Sequence, residues 1–315
     1  MLHPRSSSSG RAMTSDPAAM RRAGILFLIG STLLISASDA IAKLMTASVP
    51  VMQIAFCQSL AILFSTPFLA RDWRVTRWLP TRRPVLHAIR SVCQLVSALC
   101  FFTGLKYLPL AEMVAIIFIG PLLVTLLSAV ILKEHVGPRR WIACLVGFAG
   151  AMVVVRPGLD GSLGWTAIFP LLSTTLYSVY VICTRLTAPH ERHATLMFYA
   201  CLASVAVLGV SAPFYWVAPE PKGWVALISI AVISATSAGF GIRAYALAPA
   251  SLLAPYTYVE IVSATILGYL LFSDLPDHFT VLGALVIVGS GLYVFHRERL
   301  SSVPASDPDQ NTLKD

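Results

Sequence analysis

The sequence predicts an all-α membrane protein, with ten transmembrane helices arranged as two inverted five-helix repeats around a central cavity. Three observations lead there. Hydrophobic residues make up 57% of the 315 and charged residues only 12%, whereas a soluble domain is about 45–50% apolar and about 25% charged. The apolar residues arrive in blocks of about 18–23, each long enough to cross a hydrocarbon core of about 30 Å. Finally, the stretch 107–134, YLPLAEMVAIIFIGPLLVTLLSAVILKE, is written again at 247–274, LAPASLLAPYTYVEIVSATILGYLLFSD. The shift is about 140 positions with no gap, and an internal repeat of this kind governs the whole fold. Pro109 falls on Pro249, Leu126 and Leu127 on Ile266 and Leu267, and Glu134, which closes the run, on Asp274.

In chain order, residues 1–20 are polar and Ser-rich and are expected to be a disordered tail, with Met13 or Met20 as alternative starts. No cleaved signal peptide is expected, because the first apolar block is too long and more spans follow. The spans are placed at 23–45, 51–70, 85–107, 110–132, 138–155, 163–184, 195–216, 224–247, 250–273 and 277–296. The two repeats cover 21–157 and 162–297, and a polar tail, 298–315, is expected to be disordered.

Lys and Arg in the links set orientation. With the N-terminus inside, the inner links hold Arg21, Arg22, Arg82, Arg83, Arg139, Arg140, Arg185 and others, against only Lys43, Lys106, Arg156 and Lys222 outside. Both termini are therefore expected in the cytoplasm of a cell with the protein in its inner membrane. Five spans per half is an odd number, so the second half must enter the membrane upside down. The links agree: KEHVGPRR after the first long run is basic, and its counterpart SDLPDH is acidic. The opening helices match as well, Ser31 with Ser173, Ser36 with Ser178 and Lys43 with Arg185. Two halves of like fold and opposite orientation can exchange conformations, opening a midplane site first to one side and then to the other.

The run LLVTLLSAVILKEHVGPRRWIACLVGFAGAMVVVRPG and its echo, ending in a Gly-spaced last helix, resemble the EamA module of the drug/metabolite transporter superfamily. The motifs are Pro109, Pro121, Glu134 and Gly150 in the first half, and Pro249, Asp274 and Gly283 in the second. The resemblance implies a basket of ten helices around a cavity, with the last helix of each half standing aside. It also implies carriage of a small organic metabolite, amino-acid-like, nucleoside-like or vitamin-like. The stretch YTYVEIVSATILGYLLFSD looks most like the branch that includes S-adenosylmethionine and riboflavin carriers. The ninth span departs from the pattern, with Glu260 and Ile261 where the first half has Gly120 and Pro121.

A charge near the bilayer centre costs about 2.5–3.5 kcal/mol on insertion scales, so it needs a partner or a wet cavity. Features common to both halves read as fold, and charges that break the repeat read as site. Lys43 and Arg185 are common; each ends an opening helix, answering the last carbonyls or touching a gate. Glu134 and Asp274 are common too and read as structural. Glu260 is not common. It lies about ten residues into its span, roughly 15 Å deep at 1.5 Å per residue, as a proton or cation site or as a neutral hydrogen-bonded group. Arg243, opposite Thr103, either pairs with Glu260 or binds an anionic group of the substrate. Asp39, opposite Val181, either pairs with Lys43 one turn away or faces the cavity. Arg90 and Glu112 lie near helix ends on opposite faces, with a local Lys106–Glu112 pair expected. Phe118, Tyr177, Tyr180, Tyr256, Tyr258 and Trp165 offer aromatic walls for a flat heterocycle or an amine. Gly147, Gly150, Gly283, Gly289 and Gly291 read as helix contacts.

Several functions are disfavoured. The net charge of +8 sits in alternate links rather than on one face, so no nucleic acid is expected. The six cysteines lie within apolar blocks without metal or pairing spacing. No phosphate-cradling loop, metal motif or cofactor motif occurs. The expected partners are a small metabolite, a proton and the lipid bilayer, with the protein a monomer or homodimer. The alternative is a membrane-embedded enzyme or lipid-handling protein, which would need a reactive cluster at one membrane face.

Overall fold

The computed structural model describes residues 17–70, 73–133, 137–155 and 164–301. Among them the chain is helical, with no strand. The helices of the first half are α1 (Pro17–Met45), α2 (Val51–Ala70), α3 (Pro84–Tyr107), α4 (Leu110–Ile117), α5 (Gly120–Ile131) and α6 (Pro138–Val155). Those of the second are α7 (Ile168–Thr187), α8 (His193–Tyr215), α9 (Pro221–Leu247), α10 (Ala250–Thr257), α11 (Val259–Phe272) and α12 (His278–Ser301). Helix α1 starts at Pro17, inside the expected tail, and α12 runs on to Ser301. The rest of both tails, Glu134 and Arg156 lie outside the described residues.

Among the described residues eight helices are long and apolar enough to cross a membrane, and Trp141–Val155 and His278–Tyr293 are shorter apolar helices. Two expected spans prove to be broken. The fourth divides into α4 and α5 around Phe118, the ninth into α10 and α11 around Tyr258. Pro121 explains the first break: with no N–H it leaves the Ile117 carbonyl without its i+4 donor. The Thr174 hydroxyl from α7 donates to that carbonyl at 3.1 Å, as broken helices in membranes require. In the second half the break comes without a proline at the equivalent position; Pro255 lies inside α10 instead.

Packing joins the halves throughout. Helix α1 lies along α9, α3 along α7, α2 along α8 and α6 along α12. Small residues permit the close approaches. A Cβ on Gly24 would meet Ala244 and Ala248, and one on Gly30 the Phe240 ring. At the α6–α12 contact the Gly150 and Gly283 backbones touch, each Cβ being blocked by the other's carbonyl. Gly289 is different: a Cβ there meets nothing, so it is no helix contact.

Contacts sort the helix ends into two sets. At one end Lys43 reaches Leu108 and Asp274, Gln53 and Val217 exchange two hydrogen bonds, and Tyr107 lies by Trp165. At the other, Arg83 donates to the Leu186 carbonyl and Thr81 to Glu191.

Candidate functional site

The two helix breaks meet. Phe118 and Tyr258 each cap the first segment of a broken helix, and their rings lie 5.2 Å apart. Tyr258 is buried, and its hydroxyl fills the space a Cβ on Gly291 of α12 would take, so it wedges the bundle more than it lines open space. Helix α11 restarts directly after the break, which puts Glu260 in its first turn, where unpaired N–H groups favour an acid. Ser36 of α1 and Ser263 of α11 face each other at 2.5 Å. Both hydroxyls donate to the Glu260 carbonyl, at 3.3 and 3.0 Å, which holds α11 against α1.

Asp39, one turn beyond Ser36, is 6% exposed and stands within electrostatic range of Glu260. Its expected pair with Lys43 does not form: the Lys43 ammonium meets Asp274 at 3.0 Å instead, donates to the Leu108 carbonyl at 2.9 Å and lies over the Phe272 ring. That clasp ties α1, the α3–α4 link and the end of α11 together. Two carboxyls, Asp39 and Glu260, are thus left facing the interior.

Tyr177 of α7 stands within range of Glu260 and of Tyr245. It is enclosed by protein yet 49% accessible. Glu260 is likewise enclosed and keeps accessible surface. Tyr177 and Tyr180 stack at 5.5 Å, and the Arg90 guanidinium lies 5.0 Å from the Tyr180 ring. From Arg90 to Asp39 a row of side chains therefore runs cation, two tyrosines, two acids, with Tyr177 and Glu260 accessible and Arg90 and Asp39 buried. Such a row can hold a flat molecule by its face and a polar group at either end.

Other expected residues fall elsewhere. Arg243 makes no ion pair with Glu260 among the described residues. Its guanidinium lies 5.8 Å from the Phe27 ring, on the wall of a cleft of about 910 Å³ between α2 and α9. That cleft includes none of Asp39, Tyr177 or Glu260; it is a flank feature, apart from them. The reason is rotational: α9 turns Ser237 toward α1 and so carries Arg243 outward. Tyr256 packs against the apolar cluster of Leu28, Ala244, Ala248 and Leu253, away from the acids. Trp165 is exposed, in an aromatic group with Tyr107 and Phe169. Glu112 is buried in the first turn of α4, Lys106 lies by the Tyr107 ring, and Arg185 is exposed in the last turn of α7.

Sequence reasoning missed Ser263, Tyr245, His87 and Glu191. His87 had a usable signal. With Arg90 it shares one face of α3, and the repeat places Leu227 and Ile230 opposite the pair.

Residues 22–156 match the model of the EamA-like transporter family. A riboflavin transporter of Rhizobium johnstonii is 28% identical over 87% of this chain and 91% of its own. An S-adenosylmethionine uptake transporter of Rickettsia prowazekii is 24% identical over 88% and 94%. A pseudopaline exporter of Pseudomonas aeruginosa is 25% identical over 85% and 94%. A protein of known crystal structure superposes with a TM-score of 0.59 at 19% identity, over 91% of this chain and 99% of that one, which shows a common fold.

Proposed function

We propose that this chain, whose residues 22–156 are an EamA-like transporter family domain, is a secondary active transporter of a small organic metabolite that works by alternating access. The observation that carries the reading is the pair of interior carboxyls, the buried Asp39 and the partly accessible Glu260, within electrostatic range of each other beside Tyr177. Carboxyls are expensive inside a membrane and belong there to ion and substrate paths. Relatives named as carriers of riboflavin and S-adenosylmethionine support a metabolite with a flat ring system as cargo. The relatives include both an uptake transporter and an exporter, and a fold close to symmetric across the membrane leaves direction to the gradients.

The architecture that goes with this reading has ten transmembrane helices in two inverted repeats, 21–157 and 162–297, with α4–α5 and α10–α11 each forming one broken span. The protein sits in the inner membrane with both termini cytoplasmic. Equivalent contacts recur across the halves in support: Ser36 reaches the Glu260 carbonyl, and Ser178 reaches that of Gly120. Glu260, unmatched in the repeat, is the proton carrier in this scheme, with Asp39 beside it for a cationic group of the cargo.

The test is flux in proteoliposomes across an imposed pH gradient, repeated with Glu260→Gln. The expected result is flux that follows the gradient in the parent protein and loses that dependence in the variant. Flux that is unchanged in size and in pH response would remove Glu260 from the coupling, and no gradient-dependent flux of any metabolite would remove the transporter reading.

A further inference from the structure

Five buried polar side-chain atoms lack a hydrogen-bond partner among the described residues, and four of them fall on 78–94: Trp78 Nε1, His87 Nε2, Arg90 Nε and Gln94 Oε1. Orphaned buried polar atoms are rare, and each asks for a ligand, a water or a functional reason. Three of the four lie on the first half of α3, and Trp78 lies in the link before it.

Arg90 is 1% exposed. Its guanidinium donates to the Leu196 carbonyl and meets His87 Nδ1 at 3.3 Å. Lys43 pairs with Asp274 and His87 lies by Glu191; Arg90 is in neither pair. Glu191 is already engaged: one oxygen accepts from the Thr81 hydroxyl and the Arg82 N–H, and lies 3.9 Å from His87 Nε2. The other neighbours within reach of the Arg90 charge are the Cys183 and Cys201 thiols and the Tyr180 ring. This is a buried cation without a directly paired anion, which is costly in a membrane interior.

The fold does not need it. At the equivalent places of the second half stand Leu227 and Ile230, 3% and 1% exposed, packed in the main apolar core. One helix position is thus filled by two apolar residues in one half and by a histidine and an uncompensated arginine in the other.

We propose that the start of α3 is a binding site for an oxyanion, carboxylate or phosphate, carried by the transported molecule. Arg90 is the anchor, and the free N–H groups of Arg90 and Trp78 point to an acceptor that carries negative charge. Tyr180 covers the guanidinium and stacks on Tyr177, which leads to Glu260. The cargo class is therefore dipolar: an acid group at Arg90, a flat portion on the tyrosines, and a cationic or hydrogen-bonding group toward Asp39 and Glu260. This rests on the transporter reading only in taking the bound molecule to be the cargo.

The test uses the full-length protein purified in detergent micelles and calorimetric titration with two matched pairs, tryptophan with tryptophanamide and adenosine 5′-monophosphate with adenosine. The parent protein is expected to bind the acid member of at least one pair about tenfold tighter or more, the scale of a charge-assisted hydrogen bond. Arg90→Lys is expected to weaken that preference, because a lysine lacks the planar fork. The double variant His87→Leu/Arg90→Ile, which copies the second half, is expected to remain monodisperse and to lose the preference. The proposal falls if the parent shows no preference in either pair, weak binding of all four included. It falls equally if Arg90→Lys binds as the parent does, or if the double variant retains the preference. Discrimination in micelles without flux in proteoliposomes would remove the transport reading and leave this site standing; flux without discrimination would do the reverse.

Discussion

Ser31 of α1 and Ser237 of α9 clasp each other: each hydroxyl donates to the other residue's backbone carbonyl at 2.9 Å, and the two oxygens are 3.0 Å apart. The same clasp recurs between Ser97 of α3 and Ser173 of α7, at 2.9 and 3.0 Å. Ser31 and Ser173 are repeat mates, and so are Ser237 and Ser97. Each clasp therefore joins an opening helix of one half to the third helix of the other, as a two-fold relation between the halves demands.

Removing one hydroxyl of a clasp leaves the second without its mate, so the losses overlap. Ser31→Ala and Ser237→Ala should each lower thermal stability in detergent, and the double variant should lose less than the two added. The expected coupling is about 0.6–1.7 kcal/mol, the range for hydrogen bonds between membrane helices. Strict additivity would mean that the serines do not act together.

Asp39 and Glu260 stand within electrostatic range of each other, so they should behave as a unit. Asp39→Asn and Glu260→Gln are each expected to lower gradient-driven flux by about tenfold or more, and the double variant to be little worse than the poorer single one. Losses that multiply would separate their roles.

The Lys43–Asp274 clasp is partly exposed, through Asp274 above all, so solvent screens it and its energy is small. Its effect should appear in conformation instead. Lys43→Asp or Asp274→Lys is expected to change the labelling rate of a cysteine placed at Tyr177, and the exchanged pair Lys43→Asp/Asp274→Lys to bring the rate back. An exchanged pair no better than the single variants would show that the contact does not hold the helix ends closed.

Gly150 and Gly283 bring α6 and α12 into backbone contact, and a branched side chain has no room there. Gly283→Val should destabilise by about 1–3 kcal/mol, the usual cost of overpacking. Gly289→Ala, where a Cβ meets nothing, should be within about 0.5 kcal/mol of the parent. Thermal denaturation of the two side by side checks it.

In a cysteine-free background, Cys at 133 and Cys at 275 should be labelled from opposite sides of the membrane. Reaction of both from one side would defeat the inverted arrangement and the rocking mechanism with it.

Much of this was legible beforehand, for reasons that particular residues show. Pro109 and Pro249 marked the two long runs. The acid at 260 stood out because its mate is Gly120. Partners were harder to read. Lys43 has Asp39 one helical turn away and chooses Asp274, about 230 residues on. Arg243 and Glu260 sit in neighbouring spans, yet α9 turns the arginine to its flank. Arg90 read as a helix-end charge and His87 drew no notice, because the burial of the two is not visible in a hydropathy pattern.

Hydropathy blocks determined that this chain is a multi-pass helical bundle. They suffice because a membrane demands apolar length and internal backbone pairing of every span, and both are local properties of the chain. Tertiary structure alone decided which polar side chains meet. A helix shows its flank to several neighbours, and a few tens of degrees of rotation choose between an exposed arginine and a buried one, or between one acid and another for the same lysine.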